Sequence, residues 1–324
     1  MIHTKHGRSG VISAPHHLAA EAGANILRAG GNVVEAMVAA AATIAVVYPH
    51  MNSIGGDGFW IISEPGKEPI GIDACGPAAG LSTRDAYKEA GCATIPARGP
   101  LAALTVAGTV GGWVSALEAA RGWGNPMPLS EILADAVAHA RAGVSVTLGQ
   151  EKLTREKLEE VKHVPGFAQT YLTPEGDVLH EGAVLKQAAL AVTLDRLGQA
   201  GLDDFYRGDV ARSLAYGLET AGSFVRLNDL ESYSPLRVSP LSVSLGCGII
   251  FNMPPPTQGV SALMILALFE RLGVKNGECF DHVHGLVEAT KQAFILRDAY
   301  VTDPADMSID ATSWLRSDFL DASP

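Results

Sequence analysis

Apolar residues recur at helical spacing from early in the chain. Leu18, Ala22, Ile26 and Leu27 in "HHLAAEAGANILRAG" (16–30) mark one face of a helix, and Gly30-Gly31 ends it. Asn32 stands three residues before Glu35, the spacing of a capping box, and opens a helix over 33–47 made almost wholly of Ala, Val and Ile. A helix apolar on all sides is expected to be buried on all sides. Pro49 ends it. "GFWIIS" (58–63) and "EPIGID" (68–73) read as strands, which the turn "EPGKEP" joins into an antiparallel hairpin. Ser82 or Thr83 opens a short helix. Further helices are expected near 110–121, 128–142, 148–161, 184–199, 203–221, 258–272 and 279–300, with a polar, irregular stretch over 163–183. "SPLSVSLGCGIIFNMPPP" (239–256) reads as a second hairpin, closed by "LGCG". Residues from about 305 to 324 are polar and patternless, and are expected to form a loose tail. Long helices alternating with antiparallel hairpins, without an internal repeat, predict an α/β (α+β) fold with helices layered on sheet, in a single domain over 1–324.

Composition narrows the class. Of 324 residues, 47% are apolar, enough for a sizeable core, and the net charge is −11 with no long Lys/Arg run. That balance argues against nucleic acid or an anionic membrane surface as partner. The first seventeen residues hold no apolar stretch of signal-peptide length, and no segment has the length and apolarity of a membrane span, so a cytoplasmic protein is expected. Cys75, Cys92, Cys247 and Cys279 are scattered, which fits free thiols better than a disulfide framework.

The candidate chemistry begins with "HMNSIGGDGFW" (50–60), where Gly55, Gly56 and Gly58 crowd one loop. A phosphate loop leads into a helix and carries a lysine, or has the order strand, GxGxxG, helix. Here a helix precedes and a strand follows, no lysine is near, and Asp57 would repel phosphate. The loop is read instead as allowing close approach of another backbone or a small ligand. In "FNMPPPTQG" (251–259) three prolines stiffen an extended segment before Thr257 and Gln258. It is either a structural turn or a rigid loop aiming those two side chains into a pocket. His282 and His284, at i and i+2, face apart on a helix, and His16-His17 has the same difficulty. With no HExxH and no carboxylate cluster at ligand spacing, no metal and no cofactor are expected. No GxSxG occurs, and Cys75 just after a strand has no identified base. The residues alone give a pocket-like loop without a nucleophile.

Taken in order, these stretches resemble the large subunit of the γ-glutamyltranspeptidase family. The likeness rests on residues 10–60 with the glycine loop, on "TVAGTVGGWVSALEAARGWGNPMPLSEILADAVAHARAGVSV", on "GLDDFYRGDVARSLAYGLETAGSFVRLNDLESYSPLRVSPL" with its FY-x-G and DL-x-x-Y, on "MPPPTQG", and on "LVEATKQAFILRDAYVTDP". The resemblance covers about residues 10–305. It implies a four-layer αββα sandwich of the N-terminal nucleophile hydrolases, made as one self-cleaving precursor and completed by a small subunit. The nucleophile would be the threonine at the new N-terminus of that subunit, with its own amine as base, so no catalytic residue is expected in this chain. Partners would be the small subunit, in a heterodimer or a dimer of heterodimers, and a small amide substrate. By position in the family's motifs, the substrate-binding candidates are His50, Asn52, Gly55, Gly56, Asp57, Cys75, Thr257 and Gln258; Asp57 has the alternative of capping local N–H groups.

One departure bears on substrate. Transpeptidases carry an arginine after the second strand that pairs with the α-carboxylate of the glutamyl group. Here the stretch is "IDACGPAA", with Asp73 kept and Cys75 where the arginine would stand. Losing a guanidinium partner of a buried carboxylate costs about 2–5 kcal/mol. The features therefore resemble most the cytosolic oxamate amidohydrolase branch, tied to purine-nitrogen catabolism. Two alternatives stay open: a γ-glutamyltransferase or glutathione hydrolase whose carboxylate contact comes from elsewhere, and a non-catalytic binding protein of the same fold.

Overall fold

A computed structural model of the protein describes residues 4, 6–8 and 10–322. In chain order the first elements are α1 (His17–Arg28), α2 (Val33–Val47), β1 (Gly58–Ile62), β2 (Ile70–Ala74), α3 (Arg84–Glu89) and α4 (Thr109–Ala119). They are followed by α5 (Leu129–Ile132), α6 (Ala134–Ala142), β3 (Val144–Ser145), α7 (Leu148–Val161), α8 (Phe167–Tyr171), β4 (Val184–Leu185) and α9 (Ala188–Ala200). Next come α10 (Asp204–Arg207), α11 (Asp209–Ala221), α12 (Leu227–Ser232), β5 (Leu236–Val238), β6 (Leu241–Leu245) and β7 (Gly248–Asn252). The chain continues through α13 (Gly259–Arg271), α14 (Phe280–Tyr300), two 3-10 turns (Pro304–Asp306 and Ala311–Leu315) and α15 (Ser317–Ala322). Among the described residues no helix is long and apolar enough to cross a membrane.

Where one domain was expected, the chain divides into two compact units. The first comprises 1–58 and 74–235, the second 59–73 and 236–324. The second unit has its buried core around α13 and α14.

In the first unit α2 is the central element. Its capping box forms as the sequence spacing predicts: Asn32 Oδ1 accepts from Val34 N and Glu35 N, and Glu35 Oε2 accepts from Asn32 N at 2.8 Å. Glu35 does a second job, its Oε1 accepting from Met127 N at 2.9 Å. Two backbone donors thus satisfy one buried carboxylate. Burial of α2 is nearly all-round, but Val33 and Met37 in its first turns face solvent. The segment expected as one helix over 128–142 is broken at Leu133 into α5 and α6, and Leu133 is itself fully buried. The helix expected from 184 starts only at Ala188, because Val184–Leu185 pairs antiparallel with Val144–Ser145.

In the second unit β1 and β2 are neighbours, as the hairpin reading required, and β5 adds antiparallel to β2 with Asp73 opposite Leu236. The second hairpin is β6–β7, in register from Leu241↔Asn252 to Leu245↔Gly248. Its inward Leu241 and Val243 pack with Leu263, Met264 and Ala267 of α13 and with Ala289 and Ala293 of α14. The expected loose tail is folded as far as Ala322: Trp314 (3% exposed) and Leu320 (2%) enter this core, and Arg271 Nε holds Asp321 at 2.7 Å. Two apolar anchors in a polar stretch decide its fate, and helical periodicity does not register them. Residues 323–324 lie outside the described residues.

Replacing Glu35 with Ala would leave Asn32 N and Met127 N without their acceptor. A loss of about 2–4 kcal/mol is expected in denaturant unfolding, from one lost cap and buried unpaired donors. Glu35→Gln, which keeps one acceptor oxygen, should lose less. A Glu35→Ala midpoint equal to that of the native chain would mean that the network does not hold the start of α2.

Candidate functional site

The glycine loop is set between α2 and β1 by two ties to distant backbone. The carbonyl of Gly56 accepts from Thr109 N at 2.9 Å and from Thr109 Oγ1 at 2.8 Å, and Asp57 O lies 2.9 Å from the same hydroxyl. Asp57 Oδ1 accepts from Gly76 N at 3.2 Å. The carboxylate does cap an N–H, but one nineteen residues away, at the turn that holds Cys75. The first-turn donors of α4 are therefore taken by a loop carbonyl and, at Gly111, by a tyrosine hydroxyl. In this arrangement they serve groups of the protein itself.

The turn at Cys75 is pressed against the lead-in to α4. A Cβ on Gly76 would overlap the Val106 carbonyl, and one on Gly108 would overlap the Ala74 carbonyl. Only glycine permits two backbones to run this close. Two buried tyrosines fix the lead-in from behind. Tyr206 Oη donates to Ala107 O at 2.7 Å and accepts from Gly111 N at 2.8 Å, while Tyr233 Oη reaches Gly108 O at 3.5 Å. Burial pushes the Tyr206 phenol far above its ordinary pKa, so it stays a neutral donor and acceptor. The FY-x-G and DL-x-x-Y stretches thus act as supports for the wall that carries Cys75. Asp229 of the second stretch accepts from Arg226 N at 2.8 Å and from Gly80 N at 3.0 Å.

Of the residues proposed from sequence, Gly55, Gly56, Asp57 and Cys75 are linked through this clamp. Gly55 lines a cavity of about 740 Å³ with Ala107, Arg196, Phe205, Asp209 and Leu230. Cys75 is half-buried. His50 and Asn52 belong to the turn after α2, where Tyr48 O accepts from Asn52 N at 3.1 Å. His50 lies against Tyr48, with ring centroids 4.2 Å apart, and lines a different cavity of about 280 Å³. The two cavities share no lining residue. Burial lowers the pKa of His50, and burial with neighbouring His17 and His139 lowers that of His16.

Thr257 and Gln258 belong to the second unit. The Thr257 hydroxyl lies 2.9 Å from Met253 O and 3.0 Å from Pro254 O, and accepts from Gly259 N at 3.1 Å. Gln258 Oε1 accepts from Arg297 Nη1 at 3.0 Å, and the Arg297 guanidinium stacks over the Phe294 ring. Both side chains thus have local partners that shape the turn into α13. His282 and His284 stand apart, one against Phe269 and the other stacked on Phe280. Sequence reading did not single out Thr109, Gly76 and Gly108, and it placed Tyr206 and Tyr233 only within the FY-x-G and DL-x-x-Y stretches, without a role. A further signal was the crowding of Gly108, Gly111 and Gly112 in "AGTVGGW", which shows a close approach but not its partner.

Comparison with known proteins gives a consistent setting. Residues 19–323 match the family profile of γ-glutamyltranspeptidase. The oxamate amidohydrolase proenzyme of Klebsiella pneumoniae is 48% identical over 312 residues, covering 96% of this chain and 58% of that protein. A glutathione hydrolase-like proenzyme of Bacillus subtilis is 33% identical, covering 92% and 56% respectively. The chain therefore spans a little over half the length of these relatives. Among solved structures, a γ-glutamyltranspeptidase from Pseudomonas nitroreducens complexed with L-DON superposes with a TM-score of 0.85 at 27% identity, covering 97% of this chain and 93% of that one. The chain shares that fold, a mixture of helix and sheet.

Asp57→Ala should release Gly76 N from its acceptor. Hydrogen exchange at Gly76 is expected to speed up by about tenfold or more, the worth of one lost hydrogen bond to a charged group, while Asp57→Asn keeps an acceptor and much of the protection. Unchanged exchange in Asp57→Ala would show that the clamp rests on Thr109 alone. The two histidines set a pH dependence. Their folded pKa values lie below the ordinary 6.5, so the unfolded chain takes up protons that the native state refuses. Stability should therefore fall as pH drops from about 7 to 5, and His50→Gln should flatten that slope. Ring-proton NMR titrations placing His50 at or above 6.5 would contradict this.

Proposed function

We propose, from the premise that the chain belongs to the γ-glutamyltranspeptidase family, that it is the large subunit of a self-processed amidohydrolase whose complete form hydrolyses a small amide such as oxamate. The observation that carries this reading is the 48% identity to an oxamate amidohydrolase proenzyme across 96% of the chain. The cysteine at position 75, in place of a guanidinium that would hold a glutamyl carboxylate, points the same way.

In this reading the rest of the precursor supplies a small subunit with an N-terminal threonine. Its hydroxyl oxygen attacks the amide carbon while its own α-amine takes the proton. The tetrahedral adduct collapses, the C–N bond breaks, and the nitrogen leaves as ammonia with that proton. Water then attacks the resulting ester, releasing the carboxylate and restoring the threonine. For oxamate the products are oxalate and ammonia.

This chain contributes shape and charge. Asp57 and Thr109 hold the glycine loop against the turn at Cys75, and no guanidinium stands at position 75 to take an amino-acid carboxylate, which suits a substrate without that head group. Thr257 and Gln258 keep the turn before α13 in place. No cofactor is invoked. Pairing with the small subunit as a heterodimer, a cytoplasmic location and a place in purine-nitrogen breakdown belong to the same reading.

The second reading, a glutathione hydrolase, is favoured by the 33% identity to a glutathione hydrolase-like proenzyme. Ammonia release by the complete processed enzyme separates the two on a panel of oxamate, glutamine, glutathione and a glutaryl amide. Ammonia from oxamate without glutamate from glutathione is expected. Cys75→Arg, which introduces a bulky cation, should lower kcat/KM for oxamate by about tenfold or more. Glutathione turnover matching or exceeding that of oxamate would overturn the small-amide reading, and a precursor that neither cleaves itself nor releases ammonia would point to a binding protein.

A further inference from the structure

The cavity beside His50 has features that the amide chemistry does not use. It lies within the first unit, under the turn after α2 and against α7 and α8, with a volume of about 280 Å³. Leu153, Phe167 and Tyr171 give it apolar walls. Gln150 also lines it and is only 4% exposed, its backbone N–H donating to Thr147 Oγ1. Among the described residues His50 Nδ1 is buried without a partner. A buried unpaired donor or acceptor is costly, so such an atom on a cavity wall is unusual.

Charge defines what the cavity would take. Arg98 and Lys157 line the same cavity, and the carboxylate nearest to both is Glu160, 3.7 Å from Arg98 Nε and 3.0 Å from Lys157 Nζ. Two cations against one carboxylate leave one positive charge unbalanced. His50, its pKa lowered by burial, adds no charge at neutral pH. A dianion such as phosphate would meet Glu160 in excess, whereas a monoanion balances the group. The apolar walls call for a compact apolar body behind that charge.

We propose that this cavity is a binding site for a small monocarboxylate with an apolar body, its carboxylate taken by the Gln150 amide and the Arg98–Lys157 pair and its body lying against Phe167 and Tyr171. The inference stands independently of the reaction assigned above.

Calorimetric titration of the complete processed enzyme at low ionic strength, with benzoate and butyrate as probes and neutral benzamide as control, tests it. Saturable benzoate binding with Kd below about 1 mM is expected, with benzamide weaker by about tenfold or more. Gln150→Leu and Arg98→Ala should each weaken benzoate by a similar factor. Gln150→Leu is close to the native side chain in volume, so its Tm should stay near that of the native enzyme. Arg98 is half exposed, so Arg98→Ala decides the matter should Gln150→Leu not fold. No saturation by either carboxylate below about 10 mM, benzamide binding as tightly as benzoate, or variants binding like the native enzyme would each overturn the proposal.

Discussion

The closest constraint in the first unit is the approach of two backbones, residues 74–76 against 106–108. Two glycines make it possible, since a Cβ on either Gly76 or Gly108 would occupy the other strand's carbonyl. Everything around the glycine loop is arranged to keep that approach in register. Asp57 ties the loop to one side of it through Gly76 N, and Thr109 ties the loop to the other side through the start of α4. Tyr206 and Tyr233 brace the lead-in from the buried side. The position of the Cys75 backbone follows from these contacts.

The same unit shows how a nearly featureless apolar helix is given a defined start. α2 has almost no polar face with which to fix its register. Its position depends on a single buried carboxylate, Glu35, which closes the helix's own cap and also accepts Met127 N from the segment before α5. Polar specificity is concentrated at one end, and the rest of the helix is free to be packed.

What could be read from the sequence was local. The Asn32–Glu35 spacing identified the cap, and the glycine crowding at 55–58 identified a place of close approach. The partners could not be read, because Met127 is 92 residues from Glu35, Gly76 is 19 from Asp57 and Thr109 is 53 from Gly56. Short elements were lost for a related reason. β5 spans three residues, and β3 and β4 two each, too few for a period to appear, so their existence depends wholly on the strand they pair with. At the end of the chain, Trp314 and Leu320 outweigh a polar surrounding that reads as unstructured. For the candidate site, family resemblance supplied positions and the structure supplied jobs. It gave Thr257 and Gln258 local partners and set His50 and Gly55 in separate cavities.

The excursion of residues 59–73 out of the first unit carries a consequence for synthesis. The chain leaves that unit after Gly58 and re-enters at Ala74, and the Asp57–Gly76 bond closes the neck of the excursion. Yet the outer partner of β2 is Leu236–Val238, made only after the rest of the first unit has been synthesised. Through that interval β2 has an unpaired edge, and Phe59 and Ile61 of β1 are apolar side chains that are partly open in this chain. Until β5 is made, a nascent chain of this design carries a sticky hairpin. A local bond that pins the hairpin's base early shortens the loop that must later be closed, so the last strand finds its partner already in place.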